Sequence, residues 1–338
     1  MKPSSSVPRN GSERDRTGPP IFVVGSARSG TTLLYHMLLS SGTFAHFFSE
    51  PAVFDMLVPK FGDLRVETNR HRLMDSWIGS RMHRASGLEE KFIRSKVMSG
   101  CKSNADFLRI VMNEVAARQG VARWAVWGPD NLLYMREIKS QMPDARFIHM
   151  IRDGRDVALS MNKENFIRPF TWDRDKSLLV AGLHWHWKVS KGRCESHAVA
   201  PDYLEVPFES LIENPQQVLS CVSQFVGSEL DYDQIQHGAV GAVKSTNSSF
   251  NSEGNALALN PVGRWKRLLT PNQITALESC IGDLLQELGY ELTMPGGVAR
   301  GSFRLIKATY PLFFSTKQWL KQHTKAGKLT SVDRMKAA

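Results

Sequence analysis

The chain has 338 residues, of which 42% are hydrophobic and 22% charged, and this is enough to build one large folded domain. The net charge of +10 is confined to the two ends of the chain. Residues 1–20 hold four basic and two acidic groups, and residues 300–338 hold nine basic groups and one acidic group. The neutral middle and the lack of an RNA-binding motif argue against a nucleic-acid-binding protein. Four dispersed cysteines argue against a zinc ribbon or a disulfide framework and predict a reducing, cytoplasmic location.

The first element in chain order is a leader. Residues 1–20 are rich in Ser, Pro, Arg and Gly, and they contain no apolar run as long as a signal peptide or a membrane-spanning helix. We predict a disordered leader over 1–20, a folded domain over 21–299 and a basic, aromatic tail over 300–338.

Strands and helices are predicted to alternate along the folded domain. Each of four short apolar segments is followed by polar turn residues and then by helical spacing; these segments are 21–24, 124–127, 146–151 and 203–206. Such alternation predicts an α/β fold with three layers, α/β/α, around a central parallel sheet. Near the end, Thr270 and Pro271 predict the start of a helix that Gly289 ends.

A glycine-rich loop follows the first strand. Residues 25–32 (GSARSGTT) have the G-x-x-x-x-G spacing of a P-loop, whose backbone N–H groups and following helix N-terminus bind an anion. A nucleotide triphosphatase has a lysine after the second glycine, whereas Thr31 stands here and the basic side chain is Arg28. A P-loop kinase or nucleotide triphosphatase is therefore the alternative interpretation.

The loop resembles the 5′-phosphosulfate loop of sulfotransferases that use 3′-phosphoadenosine 5′-phosphosulfate (PAPS), of the bacterial or Golgi type rather than the cytosolic type. That family motif reads (K/R)-S-G-T-T, and the matching positions are Arg28, Ser29, Gly30, Thr31 and Thr32. The resemblance implies PAPS as the sulfuryl donor and a parallel sheet of about five strands. No His, Cys or carboxylate cluster has ligand spacing, so no metal is expected.

A second stretch with phosphate-binding chemistry begins at Arg152. In the family, an arginine just past a strand and a serine eight residues later hold the 3′-phosphate, and Arg152 and Ser160 have this spacing. A guanidinium suits a phosphate dianion because it offers a planar fork of donors. Asp156 is expected at the start of the helix between them. Alone, the string R-D-G-R-D is typical of a solvated charged turn.

Two further segments resemble the family. Residues 260–266 (NPVGRWK) match the segment that closes over the 3′-phosphate, which implies cofactor contacts by Gly263, Arg264 and Trp265, with Arg264 as the first candidate. Phe208 stands where the family's Y-E-D-L-x-x-(N/D)-P stretch has tyrosine, and we expect its ring to pack near the adenine.

The proposed catalytic groups are Glu50 and Arg28. Sulfuryl transfer needs a base for the acceptor and charge stabilisation on the leaving phosphate, and Arg28 meets the second need. Glu50 lies where Golgi-type members place a base glutamate; a surface acid before Pro51 is the alternative. The family's lysine near the acceptor is missing at Pro129 and Asp130; either Lys102, Lys163 or Arg28 replaces it, or the site takes a different acceptor. The acceptor, a hydroxyl or amine of a carbohydrate, lipid or peptide, stays open.

The tail from residue 300 interleaves aromatic and basic side chains, a composition that suits a membrane interface. Pro311 is expected to interrupt any continuous helix there. Two interpretations stay open: the tail makes a peripheral membrane contact, or it packs back on the core.

Overall fold

A computed structural model describes residues 18–244, 261–293 and 301–324. The predicted leader lies almost wholly outside these ranges, as does Asn260 of the predicted closing segment. The boundaries drawn at residues 20 and 299 therefore stay predictions.

A parallel sheet forms the centre of the molecule. Its strands are β1 Ile21–Gly25, β2 Ala125–Trp127, β3 Arg146–Ile151 and β4 Tyr203–Pro207. They lie in the order β2-β1-β3-β4, and all three pairs are parallel. The four predicted strands are confirmed within a residue or two. The described ranges hold four strands, one fewer than the family resemblance implied.

Helices surround the sheet. The α-helices are α1 Thr31–Ser40, α2 Val58–Phe61, α3 Glu67–Trp77, α4 Arg81–Ser86, α5 Glu90–Gly100, α6 Asn104–Arg118, α7 Met135–Gln141, α8 Gly154–Lys163, α9 Ser177–Ser196, α10 Phe208–Glu213, α11 Pro215–Val226, α12 Tyr232–His237, α13 Trp265–Leu268, α14 Pro271–Glu287 and α15 Gly301–His323. Short 3₁₀ segments cover Pro129–Tyr134 and Thr171–Lys176, and one π-helical turn covers Val53–Leu57. The predicted late helix is α14, with a capping box between Thr270 and Gln273.

Both faces of the sheet are covered, which confirms the three-layer fold. Along β1, Phe22 and Val24 pack into an apolar cluster with the helices between residues 53 and 142. Ile21 and Val23 alternate with them and pack into a second cluster with α1 and α11. Because successive strand side chains point to opposite faces, a buried strand with both sets apolar needs a helix layer on each side.

The register of the sheet brings the two phosphate-binding stretches together. Gly25, the last residue of β1, lies opposite Met150 of β3. Since parallel strands end at the same edge, the loop after Gly25 and the segment after Ile151 emerge side by side. Residues more than 120 positions apart in the chain can therefore form one site.

The tail forms one helix, and the prediction that Pro311 interrupts it is wrong. Helix α15 runs through Pro311. Proline removes one backbone donor, but the neighbouring side chains Tyr310 and Phe314 are buried against α9 and hold the helix across the missing bond. The part of the tail that the structure describes packs back on the core through Ile306, Tyr310 and Phe314, while a membrane contact stays a prediction. Within the described residues, no helix has both the length and the hydropathy that crossing a bilayer requires.

Candidate functional site

The loop after β1 has the backbone conformation of an anion cradle. Arg28 and Gly30 adopt left-handed conformations, with φ of 68° and 90°, and helix α1 begins at the next residue, Thr31. The amide N–H groups at the start of a helix have no intrahelical acceptor and carry partial positive charge. The open end of the loop is thus suited to a phosphate or sulfate group.

Phe208 supports this loop from behind. A Cβ atom on Gly30 would lie 2.3 Å from Cδ2 of Phe208, so only glycine fits there. The Phe208 ring also lies under the Arg152 guanidinium, 4.5 Å from ring centroid to Cζ. Phe208 is buried between these two groups, and the expectation that its ring also packs near the adenine stays a prediction.

Gly30→Ala tests this packing. We expect it to lower the free energy of unfolding by roughly 2 kcal/mol or more, because the left-handed φ and the Phe208 contact both act against a side chain. Gly42→Ala is the matched control: its φ is 74° and no atom lies within 4 Å of the added carbon, so about 1 kcal/mol is expected. Urea unfolding measures both. Equal losses would show that Phe208 does not restrict the loop.

Two serine hydroxyls of the loop are buried and unpartnered. Among the residues that the structure describes, nothing is within hydrogen-bonding distance of Oγ of Ser26 or Ser29. An unpaired buried hydroxyl costs about 1–3 kcal/mol. Such groups fit a loop that completes its hydrogen bonds when an anion binds.

The second stretch meets the first. Nε of Arg28 donates to Oγ of Ser160 at 2.9 Å, and Nη1 of Arg152 donates to the Arg28 carbonyl at 3.0 Å. The residues predicted to bind the 5′ and the 3′ groups are therefore in direct contact and form one connected surface. Arg152 and Ser160 are buried, at the start and middle of the β3–α8 segment.

Asp156 attaches the third segment to this surface. Its carboxylate accepts from the backbone N–H of Gly263 at 2.8 Å and from that of Trp265 at 2.9 Å. These bonds bracket Arg264 and hold its backbone in place. Asp156 lies in the first turn of α8, as predicted, and Asp153 caps the helix because it accepts from the Arg155 backbone N–H.

Trp265 lies beneath the surface. Its indole N–H donates to Asp153 at 3.0 Å, and its ring stacks on the Arg155 guanidinium at 3.7 Å. Arg155 also pairs with Asp153 and with Glu278, at 2.8 and 2.6 Å. The ring thus belongs to a buried network with Asp153 and Arg155, and a direct cofactor contact by Trp265 stays a prediction.

Three guanidinium groups converge at this surface. Burial lowers the pKa of Arg28; the charge of Glu164 opposes this shift and that of Arg264 adds to it. Burial likewise lowers the pKa of Arg152, with Asp156 opposing and Arg264 again lowering it. Like charges within interaction range favour a multivalent anion between them.

Comparison with known protein families indicates which chemistry this site performs. The sulfotransferase family model matches residues 19–232, well over half of the chain, and includes both phosphate-binding stretches. The chain belongs to the sulfotransferase family. The prediction made from the loop motif is confirmed, and the match decides against the kinase or triphosphatase alternative.

Individual sulfotransferases agree with this membership. The chain is 22% identical over 316 residues to protein-tyrosine sulfotransferase A of Caenorhabditis elegans, covering 91% of this chain and 77% of the relative. The sulfotransferase domain of the Synechococcus PCC 7002 olefin synthase matches with a TM-score of 0.56 at 20% identity, over 84% of this chain and 100% of that domain. The sulfotransferase domain from the curacin biosynthetic pathway matches with a TM-score of 0.53 at 16% identity, over 82% of this chain and 99% of that domain. These structures show the shared fold.

The sulfotransferase's predicted base, Glu50, lies beside the segment that follows β2. Oε1 of Glu50 and Nδ2 of Asn131 lie 3.3 and 2.8 Å from the point that a Cβ atom on Gly128 would occupy. Gly128 therefore makes room for both side chains. Asn131, which sequence reasoning did not single out, is a buried neighbour of the predicted base.

The cation near Asp130 is Lys188. Its ammonium lies 2.5 Å from Oδ1 of Asp130, and its side chain is 2% exposed. The ammonium lowers the pKa of the Asp130 carboxyl. Lys188 comes from α9, 58 positions along the chain. That Lys102, Lys163 or Arg28 supplies the positive charge near the acceptor stays a prediction. A lone lysine in an apolar helical run carries no signal that would have identified it.

Lys188→Met is expected to lower the free energy of unfolding by about 1–3 kcal/mol, because the carboxylate of Asp130, 39% exposed, loses its buried cation but stays in contact with solvent. Adding Asp130→Asn to the same chain should recover much of that loss, since the uncompensated charge is then gone. Urea unfolding of the parent, the two single variants and the double variant gives the interaction free energy between Lys188 and Asp130. Additive losses would show that the pair does not interact.

Proposed function

We propose that the protein transfers a sulfuryl group from PAPS to a hydroxyl or amine acceptor. The observation that carries the proposal is the contact between the two motifs, Arg28 to Ser160 at 2.9 Å and Arg152 to the Arg28 carbonyl at 3.0 Å. A cluster of guanidinium groups and helix N–H groups fits a donor with phosphates at both ends of one adenosine.

The transfer would proceed in line. Glu50 takes the proton from the acceptor, whose oxygen or nitrogen forms the new bond to sulfur while the bond between sulfur and the bridging 5′-phosphate oxygen breaks. The electron pair remains on that oxygen. Arg28 and the N-terminal amides of α1 stabilise its developing charge. No change of oxidation state occurs.

The acceptor is proposed first as a peptidyl tyrosine. The relative from Caenorhabditis elegans is named a protein-tyrosine sulfotransferase, and a phenolic hydroxyl is a suitable partner for a carboxylate base. Carbohydrate and lipid hydroxyls are the competing classes. A screen with labelled PAPS against all three, with a tyrosine peptide and its phenylalanine counterpart as a matched pair, decides between them; transfer to the phenylalanine peptide would exclude the tyrosine hydroxyl.

Calorimetry with adenosine 3′,5′-bisphosphate tests the donor site directly. We expect saturable binding, and much weaker binding of adenosine 5′-monophosphate, which lacks the 3′ group that Arg152 and Ser160 would hold. Transfer should persist in excess chelator, whereas a phosphotransferase needs Mg²⁺. Absence of any affinity for the bisphosphate would overturn the proposal.

We also propose a reducing, cytoplasmic location. Cys101, Cys194, Cys221 and Cys280 are all free thiols. Burial raises the pKa of Cys101 to about 12 and that of Cys280 to about 11, so both are inert. Fractionation of expressing cells tests the location, and recovery from an oxidising compartment would contradict it.

A further inference from the structure

Helix α15 is fixed to the core along one side. Ile306, Tyr310 and Phe314, four residues apart, are buried against α9 and its neighbours. The Tyr310 hydroxyl donates to Asp173 at 3.0 Å, and the indole N–H of Trp187 donates to Ser315 at 2.9 Å. These contacts define which side of the helix faces outward.

The outward side is apolar. Leu305, Leu312 and Trp319 lie seven residues apart, on one line of an α-helix, and are 73%, 68% and 55% exposed. Leu320 lies beside them and is also exposed. Of the nine exposed positions between 305 and 323, Lys317 alone carries a permanent charge. We call this side of α15 the outer face.

Trp172 enlarges the apolar surface. It is 74% exposed and stacks on Phe170 with ring centroids 4.8 Å apart. Phe170 in turn contacts Phe313 of α15 at 4.7 Å. Large exposed apolar side chains in this number mark a surface that meets a partner.

The charge around the outer face indicates which partner. Residues 300–338 hold nine basic groups and one acidic group, and four of the basic groups follow the helix, at positions 325, 328, 334 and 336. A second copy would bring two such segments together, and like charges repel. A nucleic acid would complement the positive charge, but its phosphate backbone offers no apolar surface against which outward-facing leucine side chains could pack. The partner is therefore anionic at its surface and apolar below it.

We propose that the outer face of α15 docks on the surface of an anionic lipid bilayer. The helix lies in the plane of the interface, with Leu305, Leu312 and Trp319 entering the boundary between headgroups and acyl chains. Tryptophan is favoured at this depth because its ring is apolar and its N–H is polar. The basic composition of residues 300–338 favours a surface of anionic headgroups.

Flotation of the full chain with vesicles tests the proposal. The test variant carries Leu312→Ser and Trp319→Ser, and the control carries Val66→Ser and Phe92→Ser, which remove two exposed apolar side chains elsewhere. With phosphatidylcholine vesicles containing phosphatidylglycerol, we expect the parent and control to float and the test variant to bind roughly tenfold less or weaker. Pure phosphatidylcholine, or high salt, should weaken binding of the parent.

Further measurements separate docking from other causes. Leu305→Ser with Leu320→Ser should reproduce the loss, and the urea midpoint of each variant should match the parent, because exposed substitutions change stability little. Equal flotation of test variant and parent, or no flotation of the parent, overturns the proposal. So does a dimer in sedimentation velocity that the test variant converts to monomer, since the outer face would then bind a second copy.

Discussion

Glu50→Gln is expected to lower kcat by about 10²- to 10⁴-fold, the usual contribution of a general base. The amide has the shape of the carboxylate but does not accept a proton from the acceptor. Because the proposed role of Glu50 is to take the proton from the acceptor, and its carboxylate lies against Gly128, affinity for adenosine 3′,5′-bisphosphate should stay within about twofold. Turnover is measured with labelled PAPS and affinity by calorimetry.

The control is Glu213→Gln, the same change at an exposed glutamate in helix α10. It should leave both kcat and donor affinity at parent values. Turnover of Glu50→Gln at the parent rate would remove Glu50 from the mechanism. Loss of donor affinity together with turnover would mean that Glu50 supports the donor loop and is not the base.

The fold was predictable because its signals are local. Each strand is a short apolar run with a turn after it, and helix α14 has its cap, first-turn proline and final glycine within 20 residues. The loop at residues 25–32 is equally local, since its glycines and its helix are adjacent. Few arrangements of these strands are then possible, because parallel strands joined by helices all end at the same edge of the sheet.

The supporting network was not predictable, because its contacts are distant in the chain. Taken alone, the string R-D-G-R-D is typical of a solvated turn, yet Asp153, Arg155 and Asp156 are buried. Their partners lie more than 100 residues away, at Trp265 and Glu278. Nothing in a charged pentapeptide indicates such partners. Lys188 was missed for the same reason.

In helix α15, packing against the core outweighs the tendency of proline to end a helix. Proline within a helix costs about 3 kcal/mol, which would end an isolated helix. Here Tyr310 and Phe314 are buried on either side of Pro311, and two apolar side chains of this size contribute more than the lost bond. A local breaker is reliable only where packing is weak.

Arg152→Gln, compared with Arg155→Gln, should show which arginine of the R-D-G-R-D stretch binds the ligand and which stabilises the fold. Arg152 faces the convergence of arginines, where Arg264 disfavours its charge, whereas Arg155 is held between Asp153 and Glu278. Removing one charge-assisted contact with the ligand costs about 1.5–3 kcal/mol. We therefore expect Arg152→Gln to weaken binding of adenosine 3′,5′-bisphosphate by about 10- to 150-fold.

Arg155→Gln is the contrasting variant. It leaves two buried carboxylates without their cation, so the free energy of unfolding should fall by about 3–5 kcal/mol. Arg152→Gln loses its carbonyl contacts and its 4.0 Å ion pair with the buried carboxylate of Asp156, so its free energy of unfolding should also fall, although relief of the repulsion from Arg264 offsets part of that loss. Thermal shift with and without the bisphosphate measures both effects: the ligand should stabilise Arg155→Gln and the parent but hardly Arg152→Gln. A parent-sized ligand shift in Arg152→Gln would mean that Arg28 and Arg264 hold the 3′-phosphate without it.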